Sequence, residues 1–102
     1  MTCTDPFLFN SDEKRLFEKL ISKVKMRRFG LDCTGFCLLA SGQLDIVIEA
    51  RLKPYDVQAL IPIIKGSGGK ITTWEGGDPS NGGNILATCN DKLHDKVLNL
   101  LL

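Results

Sequence analysis

No apolar run in this chain approaches the roughly 20 residues that a membrane-spanning helix needs. The opening segment, MTCTDPFLFNSDEKR, lacks the basic-then-apolar order of a secretory signal. Charge of one sign is not in excess either. The formal net charge is +1, which gives no electrostatic reason to expect nucleic acid or an anionic membrane as partner. These absences point to a cytoplasmic protein. What is present fits a globular domain: hydrophobic residues make up 43% and charged residues 25%, a balance that excludes intrinsic disorder. At 102 residues the chain has room for one small domain around one core.

The four cysteines, Cys3, Cys33, Cys37 and Cys89, also lack a pattern. They have no secretory context, and three of them sit in apolar surroundings, so free buried thiols are the expectation. A zinc site built from Cys33, Cys37, Cys89 and His94 is the sharper alternative, but the paired C-x2-C spacing of such sites is missing.

Local patterning predicts alternating helices and strands. Ser11 reads as an N-cap, with Lys14 at N3 and therefore no capping box. Leu16, Phe17, Leu20, Ile21 and Val24 form an amphipathic helical stripe, followed by Lys23, Lys25, Arg27 and Arg28, cations that suit a helix C-terminus. Cys33 to Ala40 reads as a short buried helix, and Leu44 to Ala50 as a strand rich in β-branched residues. Pro54 opens a helix running to about Lys65, apolar on nearly every side and so expected to be buried on both faces, with a kink or an end at Pro62. Gly66 to Gly69 terminates it through positive φ. Two strands, Lys70 to Trp74 and Asn84 to Cys89, flank a turn-rich loop, and Asp91 to Leu102 closes the chain as a helix with Leu93, Val97, Leu98 and Leu101 on one side. The order predicts an α/β fold, a layered domain with a mixed sheet flanked by helices. The run GSGGK is not a phosphate-binding loop: Ile64 stands where its first glycine belongs, and Ile71 where a hydroxyl must ligate magnesium.

Three carboxylates occupy positions where chemistry is plausible. Asp56 lies in the first turn of the Pro54 helix, where the dipole favours a carboxylate that can also project beyond the helix end. It serves equally as a dipole partner or as one oxygen ligand of a hard cation such as Mg2+. Glu49 ends a strand and Asp32 opens a helix, both locations that line ligand crevices in α/β folds. Their plain readings are an exposed strand-end charge and an N-cap.

At this point the residues resemble a family. KPYDVQALIPIIKGSGGKITTWEGG is similar to the C-terminal signature of the inositol monophosphatase family, in which a Trp-Asp pair opens a buried helix ending in a glycine pair. The stretch RRFGLDCTGFCLLASGQLDIVIEARLKPYD fits the same family, with Glu49 seven residues before Asp56. Tyr55 before Asp56, and the Asp32-Cys33 pair, resemble the histidinol-phosphatase branch. The resemblance runs from about Phe9 onward. It implies the C-terminal part of the inositol monophosphatase-like fold and Mg2+-dependent hydrolysis of a small phosphate monoester of the histidinol phosphate or inositol phosphate type. By position it makes Asp56 a metal ligand, places Asp32 and Glu49 against the non-phosphate part of the substrate, and gives Arg27 a share of that pocket. A carboxylate at Asp32 would complement the ammonium and imidazole of histidinol phosphate.

The departure is equally plain. The family's Gly-Glu-Glu and Asp-Pro-x-Asp-Gly-Thr motifs are missing, and neither Asp5-Pro6 nor Asp78-Pro79 continues as required. One carboxylate cannot hold two hard cations, so the chain is expected to be inactive alone: a fragment whose N-terminal catalytic half is absent. It would then be a homodimer or associate with a complementary chain, exposing apolar surface on the Pro54 helix and the LDIVIEA strand for that purpose. The alternative from another class is a non-catalytic module that binds a small molecule or a partner. A third is a regulatory subunit of an intact phosphatase.

Overall fold

The computed structural model describes residues 1–3, 9–25, 28–30 and 33–101, without the side chains of residues 28, 29, 33 and 34. In chain order the elements are β1 (Thr2–Cys3), α1 (Ser11–Ile21), β2 (Arg28–Phe29), α2 (Cys33–Ala40), β3 (Ile46–Leu52), α3 (Pro54–Val57), α4 (Leu60–Gly66), β4 (Lys70–Thr73), a 3-10 turn (Pro79–Asn81), β5 (Gly83–Thr88) and α5 (Asp91–Leu101). The strands form one mixed sheet in the order β2-β1-β3-β5-β4. β1 runs parallel to both β2 and β3, whereas β5 is antiparallel to β3 and β4.

Alternation along β3 divides the core. Ile46 and Ile48 join Phe17, Leu20, Leu86, Val97 and Leu101 beneath α1 and α5. Val47 points the other way, with Phe36, Leu39, Val57, Leu60, Ile64 and Ile85 beneath α2, α3 and α4. A strand buried on both faces must be apolar at successive positions, which is why β3 opens as Ile-Val-Ile. The expected layered α/β domain is therefore realised as helix, sheet and helix layers.

Three local expectations are corrected. The N-cap of α1 is Asn10, not Ser11, and a capping box is present. The Asn10 Oδ1 accepts the Glu13 N–H at 2.9 Å, and the Asn10 N–H donates to Glu13 Oε1 at 2.9 Å. Asn and Ser are comparable caps, so the glutamate at N3 decides. β3 begins two residues later and ends two later than the β-branched run suggests. Its ladder with β5 continues through a register shift between Glu49 and Leu52 to the pair Leu52↔Gly83. The Pro54 helix is two short helices rather than one. Pro62 has no N–H for the Gln58 carbonyl, and the chain turns at Gln58-Ala59, with Pro62 in the first turn of α4, where a missing donor costs nothing. This segment is buried on one face only. Val57, Leu60 and Ile64 are covered, while Tyr55 is 79% and Ile63 47% exposed.

The glycine run ends α4 as expected. Gly68 adopts φ +89, and its N–H and that of Gly69 return to the carbonyls of Lys65 and Ile64. Among the described residues no helix is long and apolar enough to cross a membrane.

Candidate functional site

The site begins where β3 ends. Arg51 adopts φ +55, a left-handed conformation unusual for a residue with a Cβ, at the register shift of the β3–β5 ladder. Its N–H donates to Asn84 Oδ1 at 2.9 Å, and its guanidinium is ion-paired with the carboxylate of Glu13. The Asn84 amide donates to the other Glu13 oxygen at 2.7 Å. Burial alone would raise the Glu13 pKa. The Asn10 N–H, the Asn84 amide and Arg51 outweigh it and hold the carboxyl below its ordinary value. The bulge, α1 and β5 are thus fastened to one buried carboxylate.

Leaving the bulge, the chain passes Leu52 and enters α3. Asp56 sits at N3, and its Oδ2 accepts the Lys53 N–H at 2.8 Å, a capping contact that fixes the carboxylate at the helix start. The same segment is held from the side. Gln58 Nε2 donates to the Ser80 carbonyl at 2.9 Å. Gly82, at φ +79, lies so close that a Cβ there would be 2.2 Å from the Leu52 carbonyl oxygen. Only glycine permits that approach. Tyr55 and Asp56 remain exposed, so this helix start is open to solvent.

Glu49 is not the exposed strand-end charge of its plain reading. It is 6% exposed, and it sits opposite Ile85 on β5. By alternation it shares the Val47 face, the face covered by α2, α3 and α4. Glu49 thus lies on the side of the sheet that carries α3, the helix of Asp56. Asp32 and Arg27 lie outside the described residues, although α2 starts directly after Asp32.

The donor set is thin. Among the described residues no group of three or more His, Cys, Asp or Glu side chains is arranged to hold a metal ion. Asp56 alone is a poor cage for a hard divalent cation, so the described residues do not by themselves fit a magnesium site. The zinc alternative also fails at His94. Its ring is fully buried, with Nε2 2.7 Å from Thr72 Oγ1 and Nδ1 2.9 Å from Thr88 Oγ1. Burial, and to a lesser degree Lys70, push its pKa down to about 4. It is a neutral core residue spanning β4, β5 and α5. Of the described thiols, Cys3 is buried, Cys37 exposed and Cys89 half-buried, so they are not uniformly buried, and the Cys33 side chain lies outside the described residues. Burial and the neighbouring Asp45 push the Cys89 thiol up, away from a reactive thiolate.

Sequence reasoning missed Glu13, Arg51 and Asn84. The Asn10-x-x-Glu13 spacing was a usable signal for the first. No local pattern announces a bulge arginine whose partners lie in two other elements.

Comparison with known proteins gives this arrangement its context. The profile of the Inositol monophosphatase family matches residues 6–101. A chloroplastic bifunctional phosphatase of Arabidopsis thaliana is 37% identical over 96% of this chain and 31% of its own length. A histidinol-phosphatase of Mycobacterium tuberculosis is 36% identical over 76% of this chain and 29% of its own. An inositol monophosphatase from Zymomonas mobilis superposes with a TM-score of 0.93 at 31% identity, over 98% of this chain and 40% of that one. The chain thus spans well under half the length of the relatives it matches. With the family profile matched over nearly the whole sequence, and the fold shared with one of its enzymes, the chain belongs to the inositol monophosphatase family.

Proposed function

We propose that this chain is the C-terminal part of a metal-dependent phosphate-monoester hydrolase, with Asp56 as one ligand of a magnesium ion. The observation that carries this reading is the geometry of Asp56: exposed, at the open start of α3, with one oxygen anchored by the Lys53 N–H. A ligand held in this way is pre-oriented, and pre-orientation is what a metal site needs from its surroundings.

Histidinol phosphate is the proposed substrate type, supported by the likeness to the Mycobacterium tuberculosis enzyme of that name and by the Asp32-Cys33 pair. In this reading Asp32, Glu49 and Arg27 face the non-phosphate part of the substrate. The remaining metal ligands would come from polypeptide bearing the two acidic motifs absent from this sequence. Tyr55 and Ile63 supply exposed apolar surface for contact with it. β3 does not, since it is a central strand paired with β1 and β5.

The test is a phosphate-release assay with histidinol phosphate and Mg2+, on this chain alone and mixed with a polypeptide carrying the two motifs. No turnover alone, turnover in the mixture, and its loss in Asp56→Asn are expected. Full activity of the mixture with Asp56→Asn removes that residue from the metal site. Binding of histidinol without metal, and no turnover in any mixture, favours the non-catalytic module instead.

A further inference from the structure

At the opposite end of β3 from Asp56, on the α1 and α5 side of the sheet, lies a cavity of about 740 Å3. Seven residues of β3 separate the two regions, roughly 20 Å at the usual rise of an extended strand, so this cavity is not part of the Asp56 site. Its volume falls in the range of small-molecule sites. Val24 after α1, Leu44 before β3, and Leu93 and Leu100 on α5 form walls that are only half-buried, over a floor that includes Ile46 and Val97. Single exposed apolar side chains are ordinary. Four half-buried ones from three segments converging on one concavity are not.

The charged residues of the lining are one-sided. Lys23, Lys25 and Lys96 are all exposed, and Asp45 is the only carboxylate among the described lining residues. Asp45 is itself approached by the Cys89 thiol at 3.8 Å. Lysine stems can lie along apolar walls while their ammonium groups stay in water at the mouth. Apolar walls disfavour a polyol phosphate, which would lose its hydration without hydrogen-bond partners. Three ammonium groups disfavour an amphipathic amine. What matches both features is an alkyl chain with an anionic head.

We propose that this cavity binds a monomeric fatty acid of medium chain length. The alkyl chain lies against Val24, Leu44, Leu93 and Leu100, and the carboxylate rests among Lys23, Lys25 and Lys96.

The test is calorimetric titration of the full chain with dodecanoate below its micellar concentration, alongside dodecanol, dodecyltrimethylammonium and butyrate. Saturable one-to-one binding of dodecanoate is expected, with the alcohol and the cationic amphiphile at least about tenfold weaker and no measurable binding of butyrate. The exposed triple variant Lys23→Gln/Lys25→Gln/Lys96→Gln should fold unchanged and bind dodecanoate about tenfold more weakly, close to the alcohol. Filling the cavity with Leu100→Trp should abolish binding; if that variant unfolds, the lysine variant still decides. Equal affinity for acid and alcohol, an unaffected lysine variant, or non-saturating uptake of several molecules overturns the proposal. So does self-association that competes with dodecanoate, which would show the cavity to be filled by a second copy.

Discussion

The guanidinium of Arg51 is ion-paired with the carboxylate of Glu13, joining positions 38 residues apart and tying the first turn of α1 to the bulge in β3. Half of the Arg51 side chain is exposed, so the pair by itself contributes little. Glu13 matters because it serves three partners at once: the Asn10 N–H, the Asn84 amide and Arg51. That fastening sets where the chain leaves β3, and hence where α3 begins.

Replacing Glu13 should therefore cost more than the loss of a surface ion pair. Glu13→Ala leaves three donors without their acceptor and should destabilise the fold by about 2–3 kcal/mol, measured by urea denaturation. Glu13→Gln, which keeps one acceptor oxygen, should cost less. The carboxyl is held below its ordinary value of 4.5 in the fold. Its stabilisation is thus complete above about pH 4.5 and is lost as pH falls through the lowered folded value. The Gln variant should lose that acid-side dependence.

His94 makes a separate prediction about pH. Both threonine hydroxyls beside it also reach backbone carbonyls, Thr72 that of Thr73 and Thr88 that of Asn90. The neutral ring has a single N–H, so one threonine accepts it and keeps its own carbonyl bond, while the other has one hydrogen to share between its carbonyl and the bare nitrogen. Protonation would put a positive charge on a fully buried ring, with Lys70 on β4 adding repulsion that Asp91 and Asp95 on α5 only partly offset. The folded pKa, about 4, lies below the unfolded 6.5. The stabilisation is present above pH 6.5 and is lost as pH falls from there to about 4, at most about 3 kcal/mol in all. Proton NMR should find no imidazole titration between pH 5 and 8, and His94→Phe should flatten stability across the lower window.

Gly82 is predicted to be intolerant of any side chain. In Gly82→Ala the new methyl would meet the Leu52 carbonyl oxygen at 2.2 Å and sit at φ +79. Backbone must move, at a cost of about 2 kcal/mol or more. The amide resonance of Lys53, which donates to Asp56, should shift along with the loss of stability.

Asp56 separates structural from chemical roles by comparison of two variants. Asp56→Ala removes the acceptor for the Lys53 N–H and should cost about 1 kcal/mol in denaturation. Asp56→Asn keeps an acceptor and should stay within about 0.5 kcal/mol of the parent, yet abolish Mg2+-dependent turnover in the complemented enzyme. Equal activity of parent and Asn variants would leave Asp56 as a helix cap only.

Much of the architecture could be read locally. Cys33 to Ala40 forms the helix its apolar run suggested, and Asp91 to Leu101 forms the amphipathic helix that Leu93, Val97 and Leu101 describe. Both patterns are periodic and short-range. The Pro54 segment misled because apolar residues on every side do not reveal which side is covered. Only the packing of Val57, Leu60 and Ile64 on the sheet left Tyr55 and Ile63 outside. Asp32 and Arg27 lie beyond the described residues, and their part in the site stays a proposal.

The sequence by itself determined the family, the order of the longer elements (though not the short strands β1 and β2 or the break between α3 and α4) and the placing of Asp56 in the first turn of a helix, since each depends on residues close together in the chain. The tertiary structure alone decided that the chain leading to Asp56 leaves β3 through a register shift at Arg51 and packs against Gly82 at Leu52 and Lys53. It also decided that Glu49 is buried, that His94 is a neutral core residue, and that a lysine-lined apolar cavity opens at the far end of the sheet. Those features arise where side chains from distant segments meet. Their burial and charge depend on three-dimensional neighbours that no local spacing specifies.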